Sequence, residues 1–432
     1  MKTIDRVPRD ENSFVNFCKE NNAEVYIFGA DITGKILNLL LKSKNIKVKG
    51  FIDNNRNKCN VELSGVSVFH ADELATIDKN AVFLIASTYI SDIIRQLEDI
   101  GFYNWVPIDE ILDDYSPNQL SELLKGDLRK NHTGGEFTKD FDVFVINNMV
   151  NSQKKYLDEK QLYVRSIDLI ITEKCTLKCV KCSNLMQYYE KPVDIDFQEL
   201  KEDIDDIANV ADEINEVRII GGDAFANRNF HEAISYAAKK ENINKVVVYT
   251  NGVVCPPEEK IAAIADPKVF VFITTYGELS KRAERLSDML EKYKIPFNCQ
   301  PAYGWTDCAD IKYRKRDDKN LHETFKMCCA KHFTTLTDGK VFRCPFSANV
   351  ERLRAIPDSP DDYFDIRGAR NLNNKQISEL KNKLRWYLRD KPFVEACNHC
   401  NGRTYGDPEI TPGIQTKEIL VYSKHDREIT PA

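Results

Sequence analysis

The chain has 432 residues, 42% of them hydrophobic and 30% charged, with a formal net charge of −6. That length exceeds one ordinary hydrophobic core and predicts two or three domains. The mixed, slightly acidic charge excludes the basic footprint of a nucleic-acid binder. There is no apolar run of the roughly eighteen residues a membrane helix needs, and MKTIDRVPRDENSF has no apolar signal core. A cytoplasmic protein without nucleic-acid or membrane partners is expected.

Residues 1–125 open with the apolar run VYIFGA (25–30), then GKILNLLLK at helical spacing and the strand VKGFIDNN. The buried-strand run AVFLIAS (81–87) and an amphipathic stretch through IIRQLEDIG follow. Strands alternating with helices predict an α/β fold, here a Rossmann-like parallel sheet covered on both faces. FGADITG (28–34) resembles the dinucleotide fingerprint G-x-G-x-x-G, with Asp53 where a ribose contact would lie. Its middle glycine is replaced by Asp31, whose carboxylate opposes a pyrophosphate at a helix amino terminus. A degenerate module used for partner or substrate docking is therefore expected.

Residues 126–160, including the glycine-bearing KNHTGGEFTKD (130–140), read as a linker. Residues 161–325 alternate strand and helix again. The strands are VRSIDLIIT (164–172), EVRIIGG (216–222), KVVVYTNG (245–252), KVFVFITTY (268–276) and PFNCQ (296–300). An acid-rich helix DFQELKEDIDDIANVADEI follows the first strand, with further helices near 229–240, 257–265 and 278–293. This pattern suits a partial (β/α)6 TIM-like barrel, whose chemistry sits at the carboxyl ends of the strands. Strand alternation places Asn298 and Gln300 on one face, lining the interior. Residues 326–405 form a small third domain. FTTLTDGKVFRC reads as a hairpin turning at Asp-Gly, followed by a charged helix over 374–389. The tail, 406–432, has no clear signal.

The chain has 13 cysteines. In a reducing compartment clustered cysteines hold metal or do redox chemistry rather than form structural disulfides. Cys18, Cys59, Cys255, Cys299 and Cys308 are scattered and read as small core residues. ITEKCTLKCVKCSN places Cys175, Cys179 and Cys182 in a C-x3-C-x2-C pattern just after the first barrel strand. Three such thiolates can hold three irons of a four-iron cluster and leave the fourth iron open. A zinc knuckle or chance spacing is the alternative.

The spacing resembles that of the radical S-adenosylmethionine superfamily, and the strand ends GGD (221–223) and TNG (250–252) match the family as well. The resemblance implies a 4Fe-4S cluster on Cys175, Cys179 and Cys182, with S-adenosylmethionine on the open iron. Its reductive cleavage gives a 5′-deoxyadenosyl radical that takes a hydrogen atom from an unreactive carbon. Gly221, Gly222, Asp223, Asn251 and Thr274 would then lie near the cofactor. Three positions depart from the family pattern. Asp223 stands where glutamate is usual, Ala224 where proline is usual, and Lys181 where an aromatic residue is usual.

Cys329, Gly339 and Cys344 give C-x9-G-x4-C, and Cys397 with Cys400 gives C-x2-C. The order resembles the Twitch domain, a shortened SPASM domain, which implies a second, auxiliary 4Fe-4S cluster fully ligated by Cys329, Cys344, Cys397 and Cys400. Cys328 beside Cys329 leaves the first ligand open, the glycine spacing favouring Cys329. A four-cysteine zinc site has similar spacing. A single auxiliary cluster resembles the butirosin-pathway dehydrogenases, radical enzymes that oxidise a cyclitol alcohol to a ketone. The implied function is oxidation or epimerisation of a sugar, cyclitol or nucleotide-sugar, with an electron donor such as flavodoxin or ferredoxin as partner. The alternatives are a SPASM-type peptide-modifying maturase and a non-catalytic iron–sulfur or zinc protein. A cysteine among Cys255, Cys299 and Cys308 would be placed to return a hydrogen atom in an epimerase, although packing is the simpler role for each. No general base is legible.

Overall fold

The computed structural model describes residues 7–130, 137–158, 160–404 and 406–422. Residues 131–136 and 159 of the expected linker, and 423–432 of the tail, lie outside the described residues. The chain divides into two compact units, Met1–Gln161 and Leu162–Ala432.

In the first unit the strands are β1 (Val25–Phe28), β2 (Val48–Asp53), β3 (Glu62–Leu63), β4 (Val66–His70), β5 (Val82–Ile85) and β6 (Trp105–Pro107), in the order β3-β4-β2-β1-β5-β6. All pairs are parallel except β3 with β4. Val25, Ile27, Val82 and Leu84 enter one core, while Phe28, Phe83 and Ile85 enter another on the opposite face. A parallel sheet buried on both faces requires such continuous apolar runs.

The fingerprint turn is closed by the chain itself. Asp31 caps the helix Ile32–Ser43 by accepting from Ile32 N at 2.9 Å, and it pairs with Lys58 Nζ at 2.8 Å. Asp53 accepts from Ala30 N at 3.0 Å and Asn55 N at 2.8 Å. The anion position at this helix start is thus supplied by Asp31, and the acid that would meet a ribose holds the loop instead.

The expected linker is corrected. Most of it is the helix Lys139–Tyr156, whose Ile146 and Met149 lie in the first unit's core. Gln153, fully buried, accepts from Ile108 N at 2.7 Å and donates to Ser87 O at 3.1 Å. The polar sequence hid a core helix because its buried amide is satisfied by strand-end backbone groups.

The second unit contains β7 (Tyr163–Val164), β8 (Ile167–Thr172), β9 (Glu213–Gly221), β10 (Ile243–Thr250), β11 (Val269–Thr275), β12 (Phe297–Pro301), β13 (Thr335–Thr337), β14 (Lys340–Phe342) and β15 (Tyr363–Asp365). They form one sheet in the order β12-β11-β10-β9-β8-β13-β14-β15, with β7 also paired to β9. Strands β8 to β12 run parallel with helices between them, the barrel pattern read from the sequence. A sixth parallel strand is present, but it is β13 from the C-terminal region, seated beside β8 rather than beyond β12. The C-terminal region therefore extends the barrel sheet and does not stand apart from it.

Leu169, Ile171, Val217, Ile219, Val246, Val248, Val271 and Ile273 pack with the helices Phe197–Val210, Phe230–Ala238 and Ala283–Lys292. The intervening residues, among them Asp168, Arg218, Asn298 and Gln300, face the other side. The acid-rich helix ends at Val210, earlier than its sequence suggests, because Ile214 is needed in β9. The Asp-Gly hairpin forms as expected, with Asp338 and Gly339 both at positive φ (54° and 70°). The charged helix spans Asn374–Arg389. Among the described residues no helix is long and apolar enough to cross a membrane.

Candidate active site at the cysteine loops

The first cysteine loop leaves the carboxyl end of β8, and the end of β9 is laced to it. Gly222 N donates to Thr172 O at 3.0 Å, and Asp223 N to Lys174 O at 2.9 Å. The two backbones touch. A Cβ on Gly221 would lie 2.0 Å from Thr172 O, and one on Gly222 2.2 Å from Lys174 O and 2.8 Å from Cys175 Cβ. Only glycine permits that approach. From behind, Glu173 forms a buried pair with Arg352 at 2.7 Å, and Lys174 pairs with Asp194 at 2.7 Å.

Cys175, Cys179 and Cys182 come together on this loop, close enough that Cys182 and Cys179 both raise the Cys175 thiol, after burial and Asp223. Burial pushes the Cys182 thiol up to about 11. Burial also raises Cys179, against an opposing hydrogen bond from Gln415. Donors point at these sulfurs. Leu177 N lies 3.4 Å and Asn251 Nδ2 3.6 Å from Cys175 Sγ, and Gln415 Nε2 lies 3.1 Å from Cys179 Sγ. Thiols crowded and buried this way resist ionisation unless a metal centre compensates, and the N–H groups stabilise the thiolate form that ligates. The donor set therefore fits a thiolate-bound iron–sulfur cluster. Among the described residues no three His, Cys, Asp or Glu side chains converge on a site for one metal ion.

Of the other expected cofactor residues, Asp223 and Asn251 contact the same loop. Asp223 is 2% exposed, and both its oxygens are engaged. It accepts from Phe225 N at 3.0 Å, Asn251 N at 2.7 Å, and Thr250 Oγ1 at 3.1 and 3.0 Å. Burial raises its carboxyl. Asp223 thus ties the end of β9 to the end of β10. Asn251 reaches the cysteine loop, its Nδ2 donating to Thr176 Oγ1 at 3.1 Å. Thr274 lies on β11 in register with Gln300 of β12. Lys181 pairs with Asp307 at 2.7 Å. Burial, followed by the thiols of Cys179, Cys182 and Cys175, raises the Tyr276 hydroxyl far up.

In the second group, Cys344, Cys397 and Cys400 lie in electrostatic reach of one another. Cys397 is raised by burial and then by Cys344, Cys400 and Cys328, and Cys400 by burial, with Cys344, Cys328 and Cys308 adding to it. Burial and Cys344 push Cys328 up to about 12. Cys328 is thus the one in electrostatic reach of Cys344, Cys397 and Cys400, whereas the glycine spacing favours Cys329. After burial, Cys329 feels mainly Arg403, and its N–H donates to Arg403 O at 2.9 Å. Cys328 is the C-cap of the helix Asp318–Met327, in extended backbone conformation. Arg316 Nη1 donates to Cys400 O at 2.7 Å and also to Cys397 O, fixing the C-x2-C loop. Of the scattered cysteines, Cys255 and Cys299 pack against the helix-side core, and Cys308 lies in electrostatic reach of Cys182 and Cys329.

The tail supplies residues that sequence reasoning missed. It crosses back over the first cysteine loop as an antiparallel bridge between Gln415 and Cys179. Val180 N donates to Ile414 O, and Thr416 N to Lys178 O, both at 2.8 Å. No local pattern announces this contact, since its partners are more than two hundred residues apart.

Residues 169–281 match the family described as the Radical SAM superfamily, and residues 21–105 match the family described as C2185-like, N-terminal. No curated protein matches the chain. Among solved structures it is similar to "Crystal structure of BtrN in complex with AdoMet and 2-DOIA", at 14% identity and a TM-score of 0.38, covering 61% of this chain and 99% of that one. It is also similar to "Native anSMEcpe with bound AdoMet", at 14% identity and a TM-score of 0.33, covering 54% of this chain and 89% of that one. Likenesses of this size bear on neither substrate nor reaction.

Proposed function

We propose that this chain, a member of the radical SAM superfamily through its domain at residues 169–281, removes a hydrogen atom from a carbon of a sugar, cyclitol or nucleotide-sugar and so oxidises or epimerises it. The observation that carries the enzymatic reading is the three-cysteine loop at the carboxyl rim of the parallel strands, closed by the bare backbone of Gly221 and Gly222. When bound, a cluster on Cys175, Cys179 and Cys182 supplies the electron that splits the sulfonium of S-adenosylmethionine. The chain's own residues hold the geometry. Asp223 fixes two strand ends, Asn251 steadies the loop, and the tail covers it from outside.

Support for a hydroxyl-bearing substrate comes from β12. Gln300 is 7% exposed, and its Oε1 is buried with no donor in reach. An unmatched buried acceptor costs about 1–3 kcal/mol, which a substrate hydroxyl would recover. The quartet Cys328, Cys344, Cys397 and Cys400 suits an auxiliary cluster that accepts the electron left after oxidation. A flavodoxin or ferredoxin is the proposed donor for the first site, and the N-terminal unit is a docking module.

The test is anaerobic reconstitution, followed by chromatographic measurement of 5′-deoxyadenosine released with panels of polyols, nucleotide-sugars and peptides. Release raised by a polyol or nucleotide-sugar supports the substrate class. Release raised by peptides alone replaces it with peptide modification.

A further inference from the structure

We infer that Gln415 is a positioning residue that sets the reduction potential of the cluster held by Cys175, Cys179 and Cys182; this rests on the reading that the trio binds such a cluster. The Gln415 amide is engaged at both ends. Its Oε1 accepts from Lys178 N at 2.7 Å, and its Nε2 donates to Cys179 Sγ at 3.1 Å and to Gly413 O at 2.7 Å. The flanking backbone pairs on either side, so the amide is held in one orientation against the loop.

The strap is shaped to lie this close. Gly413 has φ of 74°, and a Cβ there would meet Tyr276 Cδ1 at 2.5 Å. Tyr276 is itself in electrostatic reach of the trio and packs edge-on to Trp305, with ring centroids 6.0 Å apart. Gly413 lets the tail settle on the Tyr276 ring, and that places Gln415 two residues later over Cys179. A single-residue shift of the strap would turn its side chain away.

Hydrogen bonds to cluster sulfurs raise a reduction potential, because reduction adds negative charge that the N–H dipole stabilises. Donors to an ionised acceptor are also stronger than neutral ones. The reduced form of the trio's cluster gains most from Gln415, the side-chain donor at Cys179 among the described residues.

Two variants of the full chain separate the effects. Gln415→Glu keeps an oxygen for Lys178 N but replaces the donor at Cys179 with a second oxygen, whereas Gln415→Leu removes both bonds. Each is reconstituted anaerobically and titrated electrochemically, following the signal that responds to added S-adenosylmethionine. At a solution potential that half-reduces the unmodified protein, the ratio of reduced to oxidised cluster is expected to fall roughly threefold to tenfold, more for Glu than for Leu. Equal iron content with unshifted potentials overturns the inference. Should a variant load no iron, the unmodified protein carrying ¹⁵N in its glutamine side chains decides by pulsed electron paramagnetic resonance. A nitrogen coupling at the reduced cluster supports the contact, and its absence overturns it. An unmodified protein that loads no cluster responsive to S-adenosylmethionine overturns the underlying reading and this inference together; a loaded cluster with unshifted variants overturns this inference alone.

Discussion

Gly222 packs so tightly on Lys174 that a methyl group at position 222 would sit 2.2 Å from the Lys174 carbonyl oxygen and 2.5 Å from its carbon. Both obstacles are backbone, so neither can swing aside. Gly222→Ala must displace the loop that carries Cys175. Iron recovered at the trio after reconstitution is expected to fall severalfold while the far-ultraviolet spectrum is kept. Full iron loading in the alanine variant would show that the loop yields more easily than its packing indicates.

Cys328 and Cys329 are distinguished by neighbours rather than spacing. Cys328→Ala is expected to remove one of two clusters, so iron per chain falls by roughly half. Cys329→Ala is expected to leave iron content unchanged. Metal analysis of both variants checks the assignment, and the reverse pattern would restore Cys329 as the ligand.

Arg352 reaches Glu173 at 2.7 Å, Asp338 at 2.8 Å and Thr337 Oγ1 at 2.8 Å. Arg352 and Glu173 have side chains only 8% and 9% exposed. Arg352→Met would strand Glu173, two residues before Cys175, as an unpaired buried charge. The expected loss in urea unfolding is about 3–5 kcal/mol, with Arg352→Lys intermediate because an ammonium cannot match the guanidinium fork.

Burial raises the Asp203 carboxyl to about 7, although Gly339 N donates to it at 2.7 Å and opposes the shift. Its unperturbed value is 3.8. Between those values the folded chain keeps a proton that the unfolded chain releases. Stability therefore falls as pH rises from about 4 to about 7 and this contribution levels off above that. Asp203→Asn keeps an acceptor for Gly339 and removes the titration. Thermal melts of the variant are expected to show a shallower fall across that window, and an unchanged slope would remove Asp203 as its source.

Local signals were legible in the sequence and long-range ones were not. The Asp-Gly turn at 338–339 and the periodicity of Asn374–Arg389 each lie within one short stretch of chain and reappear in the structure. The helix Lys139–Tyr156 was missed because Gln153 is buried through backbone partners at residues 85–108 that no window around it contains. Cys328 could not be told from Cys329, since a neighbouring thiol differs only in the direction a helix end gives it. Asp223 carries a similar lesson. Its tie between two strand ends depends on Thr250 and Asn251, which lie well beyond it in the chain. Gln415 depends on a tail folding back across the unit, which composition does not reveal.

The central claim concerns the three thiols of the β8 loop. The direct measurement is methionine and 5′-deoxyadenosine formed from S-adenosylmethionine under strong reductant, in the reconstituted protein and in Cys175→Ala, Cys179→Ala and Cys182→Ala. Cleavage by the unmodified protein and its loss in all three variants is the predicted result. Cleavage that persists in any one of them at the unmodified rate would contradict the account.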